Sequence, residues 1–233
     1  MLIYLNIGIL ILAYLAGSIP FGYILVKIVT GEDVREVQSG RTGGTNSMRA
    51  AGFPIGLATS LLDILKSAGA VWLARIWLPE SYWIHVFAGL LAVIGHNYSV
   101  FLIKKTPEGR LEIGGGAGGT PAAGAIVGLW WPSFFILVPV GFLIVMVIGY
   151  ASLATMTMPL IGSLIFMVRC LTLGEPWQYI FSGLFSEVLI LWALRPNIQR
   201  LLAGTERLVG FRAQKKNQPE ESSESAGDKT PRG

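Results

Sequence analysis

The segment SGRTGGTNSMR, from Ser39 to Arg49, concentrates groups suited to binding an oxyanion. Gly40, Gly43 and Gly44 allow close backbone approach and positive φ, so successive N–H groups can converge on an anion. Ser39, Thr45 and Asn46 add neutral donors, and Arg49 adds a planar fork that matches phosphate. Phosphate binding is the expected chemistry, with a flexible interhelical connection as the plainer alternative. A second run, Gly114 to Gly119 in GGGAGG, leads through Thr120 into an apolar stretch that begins near Pro121. A glycine run there resembles a backbone cradle at a helix N-terminus, where free N–H groups and the helix dipole favour phosphate. It lacks the terminal Lys-Ser/Thr of a P-loop and has no hydrophilic strand–helix unit around it, which disfavours nucleotide hydrolysis.

Further polar groups stand inside or beside apolar sequence. Asp63 and Lys66 are three apart, hence on one helical face. Ionisable groups at that depth turn toward an interior cavity or toward each other, so this pair reads as a functional polar face or as a mutually satisfied ion pair. His96 in GHN stands close to the second glycine run and can serve as proton carrier, anion donor or structural group. Asn197 and Arg200 share a helical face in NIQRLLAGTE, where Arg200 reads equally as a membrane-edge anchor. His85 is assigned no role. Two histidines 11 apart and a single cysteine, Cys170, offer neither a metal-ligand set nor an intrachain disulfide, so no metal and no cofactor are expected.

These groups need elements to hold them, and the composition points to a bilayer. With 52% hydrophobic and 14% charged residues in 233, the chain is too apolar for an ordinary soluble domain. Apolar runs at about 2–29, 55–78, 82–103, 121–150, 152–169 and 177–194 predict an all-α polytopic membrane protein. Trp130, Trp131 and Pro132 interrupt the 121–150 run, which predicts two short or tilted spans around Trp131 and about seven transmembrane helices in all. A five-span arrangement keeps the same orientation.

Of the 18 Lys and Arg, all but Lys66, Arg75 and Arg169 fall in loop 30–53 with its flank, loop 104–120 or the C-terminal segment. The positive-inside rule then puts both glycine loops and the C-terminus in the cytoplasm and the N-terminus outside, in a multi-pass protein of the cell (inner or plasma) membrane. The basic residues border apolar runs and form no continuous patch, so the net charge of +4 does not imply nucleic acid. Residues 1–212 are expected to form one transmembrane domain, and 213–233, rich in Glu, Ser, Lys and Pro, a disordered cytoplasmic tail.

Taken in order, GSIPFGYIL, SGRTGGTNSMRAAG, LDILKS, GHNYSVFL, the glycine run and NIQRLLAGTE resemble segments of the acyl-phosphate-dependent glycerol 3-phosphate acyltransferase family, PlsY, over about residues 10 to 207. The resemblance implies transfer of a fatty acyl group from acyl phosphate to the 1-hydroxyl of glycerol 3-phosphate, giving lysophosphatidate and phosphate, by a monomer working at membrane lipid. It places Ser39, Thr45, Asn46 and Arg49 along the first active-site face, makes Gly115, Gly116 and Gly118 the phosphate loop, and matches Asn197 and Glu206 to the third motif. Ser39, Arg49, His96 and Asn197 are the expected catalytic set, with His96 or a substrate phosphate oxygen as proton acceptor. Gly40, Gly43, Gly44 and Lys66 join the expected substrate-binding set. The family's second motif usually reads GGKG where this chain has GGAG, and an Arg-His pair usually stands where this chain has Ala193 and Leu194. These departures keep two alternatives open: a transporter of a small phosphorylated or lipid solute, and a non-catalytic family member.

Overall fold

The computed structural model describes residues 2–217. The first apolar run forms α1 (Leu2–Ser18) and α2 (Phe21–Thr30), broken at Pro20. Proline supplies no N–H, so the break leaves nearby carbonyls without helical donors. Two side chains take them up: Ser99 Oγ donates to Ser18 O at 2.6 Å, and Lys66 Nζ to Ile19 O at 2.8 Å. The kink thus binds the first run to the two elements that carry polar chemistry.

The short helix α3 (Gly44–Ala51) follows the first glycine loop, and α4 (Phe53–Trp77) and α5 (Tyr82–Asn97) come next. The second loop begins with a two-stranded antiparallel ribbon, β1 (Ile103–Lys105) against β2 (Leu111–Ile113), where the sequence reading had only irregular chain. The remaining elements are α6 (Gly119–Leu129), α7 (Phe134–Leu143) with a π-helical turn at Ile144–Ile148, α8 (Ala151–Leu173), α9 (Ile180–Ala193), α10 (Arg195–Leu202) and α11 (Gly210–Asn217).

All six expected apolar runs are helical, the fourth as two helices, but five helices are long and apolar enough to cross a bilayer, and a sixth crosses if α9 and α10, bent by 71°, count as one. The seventh, α6, has 11 residues. It rises roughly 17 Å, about half of a ~30 Å hydrocarbon core. The expected break around Trp131 is present: α6 is a short helix, and the loop before it packs on the end of α5. Ten residues of α6 are buried, and its composition explains how. Gly124 lies against the backbone of Ile64, and Gly128 against Val71 and Ala68, so a side chain at either would strike α4. Small residues let backbones approach closely, which is how helices associate where lipid removes the hydrophobic drive. Gly17 against Ala92 and Gly95 against Tyr14 join α1 to α5 in the same way.

Outward positions such as Ile7, Ile11, Leu12, Phe142, Leu143, Leu171 and Val188 are exposed, the pattern of a lipid-facing surface. Regular structure extends past the expected boundary at 213, because Val209 N–H donates to Gly149 O at 2.9 Å and Arg212 to Ile148 O at 3.0 Å, which docks α11 on the end of the π-helical turn. The rest of the expected tail, 218–233, lies outside the described residues.

Candidate active site

The first loop is shaped by its own polar residues. Asp33 accepts from Arg35 N–H at 2.9 Å and holds the Arg35 guanidinium in a bidentate pair, which caps a single 3-10 turn at Val34–Glu36. Arg35 keeps the Asp33 carboxyl below its ordinary value. Asn46, buried at the start of α3, points its Nδ2 at the carbonyls of Val34, Val37 and Arg41, each at 2.9 Å. Expected as a phosphate donor, Asn46 spends its amide protons on folding the loop around the cavity.

That loop is joined to the second glycine run by Thr42 N–H donating to Gly115 O at 3.2 Å, and the run is joined to α5 by Gly116 N–H donating to His96 O at 2.9 Å. A chamber of about 110 Å³ opens between them, lined by Ser39, Arg41, Gly43, Gly44, Thr45, Asn46, Arg49, Ser60, His96, Gly118, Gly119, Thr120, Asn197 and Glu206 among others. Both α3, beginning at Gly44, and α6, beginning at Gly119, start on its wall. First-turn N–H groups have no intrahelical partner, so two helix N-termini present free donors and positive dipole ends to one space. Gly118, at φ +95°, makes the left-handed turn that aims α6.

The cations reinforce this field. Arg41 and Arg49 are half-buried, and neither has a carboxylate within ion-pair distance among the described residues. Burial lowers both guanidinium pKa values, and Arg200 pushes Arg41, and Arg207 pushes Arg49, further down, against the pull of Glu206. Arginine stays charged through shifts of this kind. Glu206 is itself engaged, accepting from Asn197 Nδ2 at 2.8 Å and Arg200 Nε at 3.2 Å, which ties the chain after α10 back onto it. The wall therefore carries more positive charge than it neutralises.

Two neighbouring spaces complete the geometry. An apolar groove of about 200 Å³ shares Gly44, Thr45, Ser60, Gly119, Thr120, Ala151 and Thr155 with the chamber and runs on past Phe53, Leu57, Leu137, Phe142 and Met158. A larger open cavity of about 600 Å³ meets the chamber at Arg41 and is walled by Asn97, Gly114, Gly115, Gly116, Ala193, Arg195 and Gln199.

Ser39, Gly43, Gly44, Thr45, Arg49, His96, Gly118, Asn197 and Glu206 line the chamber together, whereas Gly40, Gly115 and Gly116 line the larger cavity. Lys66 does not face any of these spaces. Its ammonium donates to Ile19 O at 2.8 Å, lies 3.1 Å from His96 Nδ1 and forms an ion pair with Asp63 Oδ1 at 2.7 Å, so its expected contact with substrate is corrected to a contact with His96. Sequence reasoning missed Arg41, although a third arginine inside a glycine loop was a usable signal. It also missed Ser60 and Thr155, whose apolar sequence surroundings gave none.

Fold and site together define a polytopic membrane protein with an electropositive chamber beside an apolar groove. The family model for glycerol-3-phosphate acyltransferase matches residues 7–204. A glycerol-3-phosphate acyltransferase of Thermus thermophilus is 37% identical over 205 residues, covering 88% of this chain and 96% of that protein. The one from Syntrophomonas wolfei is 35% identical, with 88% and 98% covered. The crystal structure of PlsY (YgiH), an integral membrane glycerol 3-phosphate acyltransferase, in its glycerol 3-phosphate form, superposes with a TM-score of 0.76 at 31% identity, covering 91% of this chain and 99% of that one. Its lysophosphatidic acid form gives 0.73. This chain belongs to the glycerol-3-phosphate acyltransferase family and is an integral membrane acyltransferase.

Proposed function

We propose that this chain, as a monomer, moves a fatty acyl group from acyl phosphate to the 1-hydroxyl of glycerol 3-phosphate, at the cytoplasmic face of the cell membrane. The observation that carries the reading is the shared wall between an electropositive chamber and an apolar groove, because acyl phosphate is a hydrocarbon chain ending in a small dianion. The acceptor oxygen attacks the acyl carbonyl carbon, a tetrahedral oxyanion forms, and the carbon–oxygen bond to phosphate breaks with its electron pair leaving on phosphate. The hydroxyl proton passes to a phosphate oxygen. Acyl phosphate is already activated, so the protein's tasks are to orient the acceptor, hold phosphate charge and stabilise the oxyanion. Arg49, Arg41, Ser39 and the N–H groups at the starts of α3 and α6 suit those tasks.

Purified protein given acyl phosphate and glycerol 3-phosphate should form lysophosphatidate and release phosphate, and Arg49→Ala should abolish both. Acylation from acyl-CoA or acyl carrier protein with none from acyl phosphate would overturn the donor. For orientation, a Cys170-free variant carrying Lys105→Cys should resist an impermeant thiol reagent in intact cells and react after lysis.

A further inference from the structure

We propose that His96 acts as a fixed hydrogen-bond donor through Nε2–H to the anion in the chamber and not as the base, with Lys66 and Asp63 as the positioning residues that set its tautomer. The proposal rests on the acyl-transfer reading above. It starts from Lys66, an ammonium with three protons and no lone pair. Its three neighbours are Asp63 Oδ1, Ile19 O and His96 Nδ1, at 2.7, 2.8 and 3.1 Å. A group that only donates requires an acceptor opposite, so Nδ1 supplies its lone pair and the ring proton resides on Nε2. The competing arrangement, Nδ1–H donating to Asp63, has 3.5 Å to span and would aim a proton at an ammonium.

The other edge of the ring completes the case. His96 is 4% exposed and lines the chamber, and its Nε2 has no hydrogen-bond partner among the described residues. A Cβ at Gly116 would collide with that nitrogen, so glycine at 116 is what leaves room for it. The charged groups around the ring are Asp63 and Lys66 from α4, Arg41 from the first loop, Arg49 from α3 and Glu206 beyond α10. Cations predominate on the chamber side, which favours an anion there. A neutral ring protonated at Nε2 has no lone pair to offer the acceptor hydroxyl. It adds one more donor to those at the helix starts, and the proton goes to phosphate.

The chain has only two histidines, which makes a direct test practical. His85 is the internal reference: its Nε2 lies 2.8 Å from the Leu78 carbonyl, which can only accept, so His85 is also protonated at Nε2. Protein labelled with 15N-histidine in detergent should give two Nε2–H patterns between pH 6 and 8, with the His96 pattern identified by its loss in His96→Gln. Inorganic phosphate or glycerol 3-phosphate should shift the His96 Nε2 signal and leave His85 in place. An Nδ1–H pattern, or an imidazolium in that range, overturns the proposal whether or not the enzyme turns over.

Kinetics give a second reading. The Gln amide can occupy the place of Nε2–H, so His96→Gln should keep kcat/KM within about tenfold of wild type with an unchanged pH profile, while His96→Ala falls about 10²- to 10³-fold, as for loss of an oxyanion donor. A pH limb that vanishes in His96→Gln, together with activity as low as in His96→Ala, would identify a base. Wild-type protein that shows the Nε2–H signal yet acylates nothing from acyl phosphate defeats the donor reading and leaves the tautomer established.

Discussion

Arg41→Gln isolates one charge at the junction of the two polar cavities. Arg41 Nη2 donates to the Ala193 carbonyl at 2.5 Å, which fastens the first glycine loop to the end of α9. The Gln amide can keep a donor toward that carbonyl, so the fastening survives while the positive charge goes. A hydrogen bond to a charged group contributes about 1.5–3 kcal/mol. At about 1.4 kcal/mol per factor of ten, that predicts a rise in KM for glycerol 3-phosphate of roughly 10- to 100-fold. Arg41 is half-buried, so solvent screening favours the lower part of that range. Arg41→Lys should recover part of the loss, because a point charge replaces a two-pronged donor. Initial rates at saturating acyl phosphate, with thermal unfolding in parallel, make the measurement. A KM within twofold of wild type, or a lowered melting temperature with unchanged KM, would show that Arg41 is only a fastener and that the electropositive wall is not what binds substrate.

Glycine substitutions should separate by the space behind them. Gly116→Ala drives a methyl into the His96 ring and should remove activity with the protein still folded in detergent, whereas Gly43→Ala, with nothing within 4 Å, should retain most of its turnover. Gly124→Val forces α6 off the Ile64 backbone and should lower the melting temperature by several degrees or prevent folding. Glu206→Gln removes the negative charge and one of the two oxygens that accept from Asn197 and Arg200, which frees cationic charge, so binding of inorganic phosphate should tighten even as kcat falls; weaker phosphate binding would contradict the charge balance drawn above. The Asp33–Arg35 cap is governed by a lowered carboxyl pKa, so its contribution is present above the unfolded value near 3.8 and is lost as pH falls through the folded one. Asp33→Asn should remove that acid limb from loop protection measured by hydrogen exchange.

Much of this arrangement was legible in the chain. Apolar run length marked every long helix, and Trp130-Trp131-Pro132 marked the break between α6 and α7, because aromatic and proline chemistry act locally. The glycine loops identified themselves by composition. What stayed hidden depended on depth. Counting residues could not say that α6 begins inside the bundle, since the dip of the loop is fixed by Gly115 and Gly116 lying on the backbone and ring of α5. Lys66 was misread for the same reason. A lysine in an apolar span signals function or pairing, and only the carbonyl freed at the Pro20 break and the ring of His96 decide between them.

The short length of α6 has a chemical consequence. A helix that crossed fully would start at the membrane surface, where water screens its N-terminal dipole and competes for its N–H groups. Starting at Gly119, buried and against Thr155, α6 puts those donors beside the apolar groove. Each donor then acts in a lower dielectric, which strengthens its hold on phosphate and on a developing oxyanion alike. The same depth makes any unpaired charge costly, which is why Lys66 is matched by Asp63, a carbonyl and a ring nitrogen, and why the cations left unmatched, Arg41 and Arg49, are the ones that line the chamber. Lys66 is thus matched behind the wall, while Arg41 and Arg49 stay unpaired where a dianion can complete them.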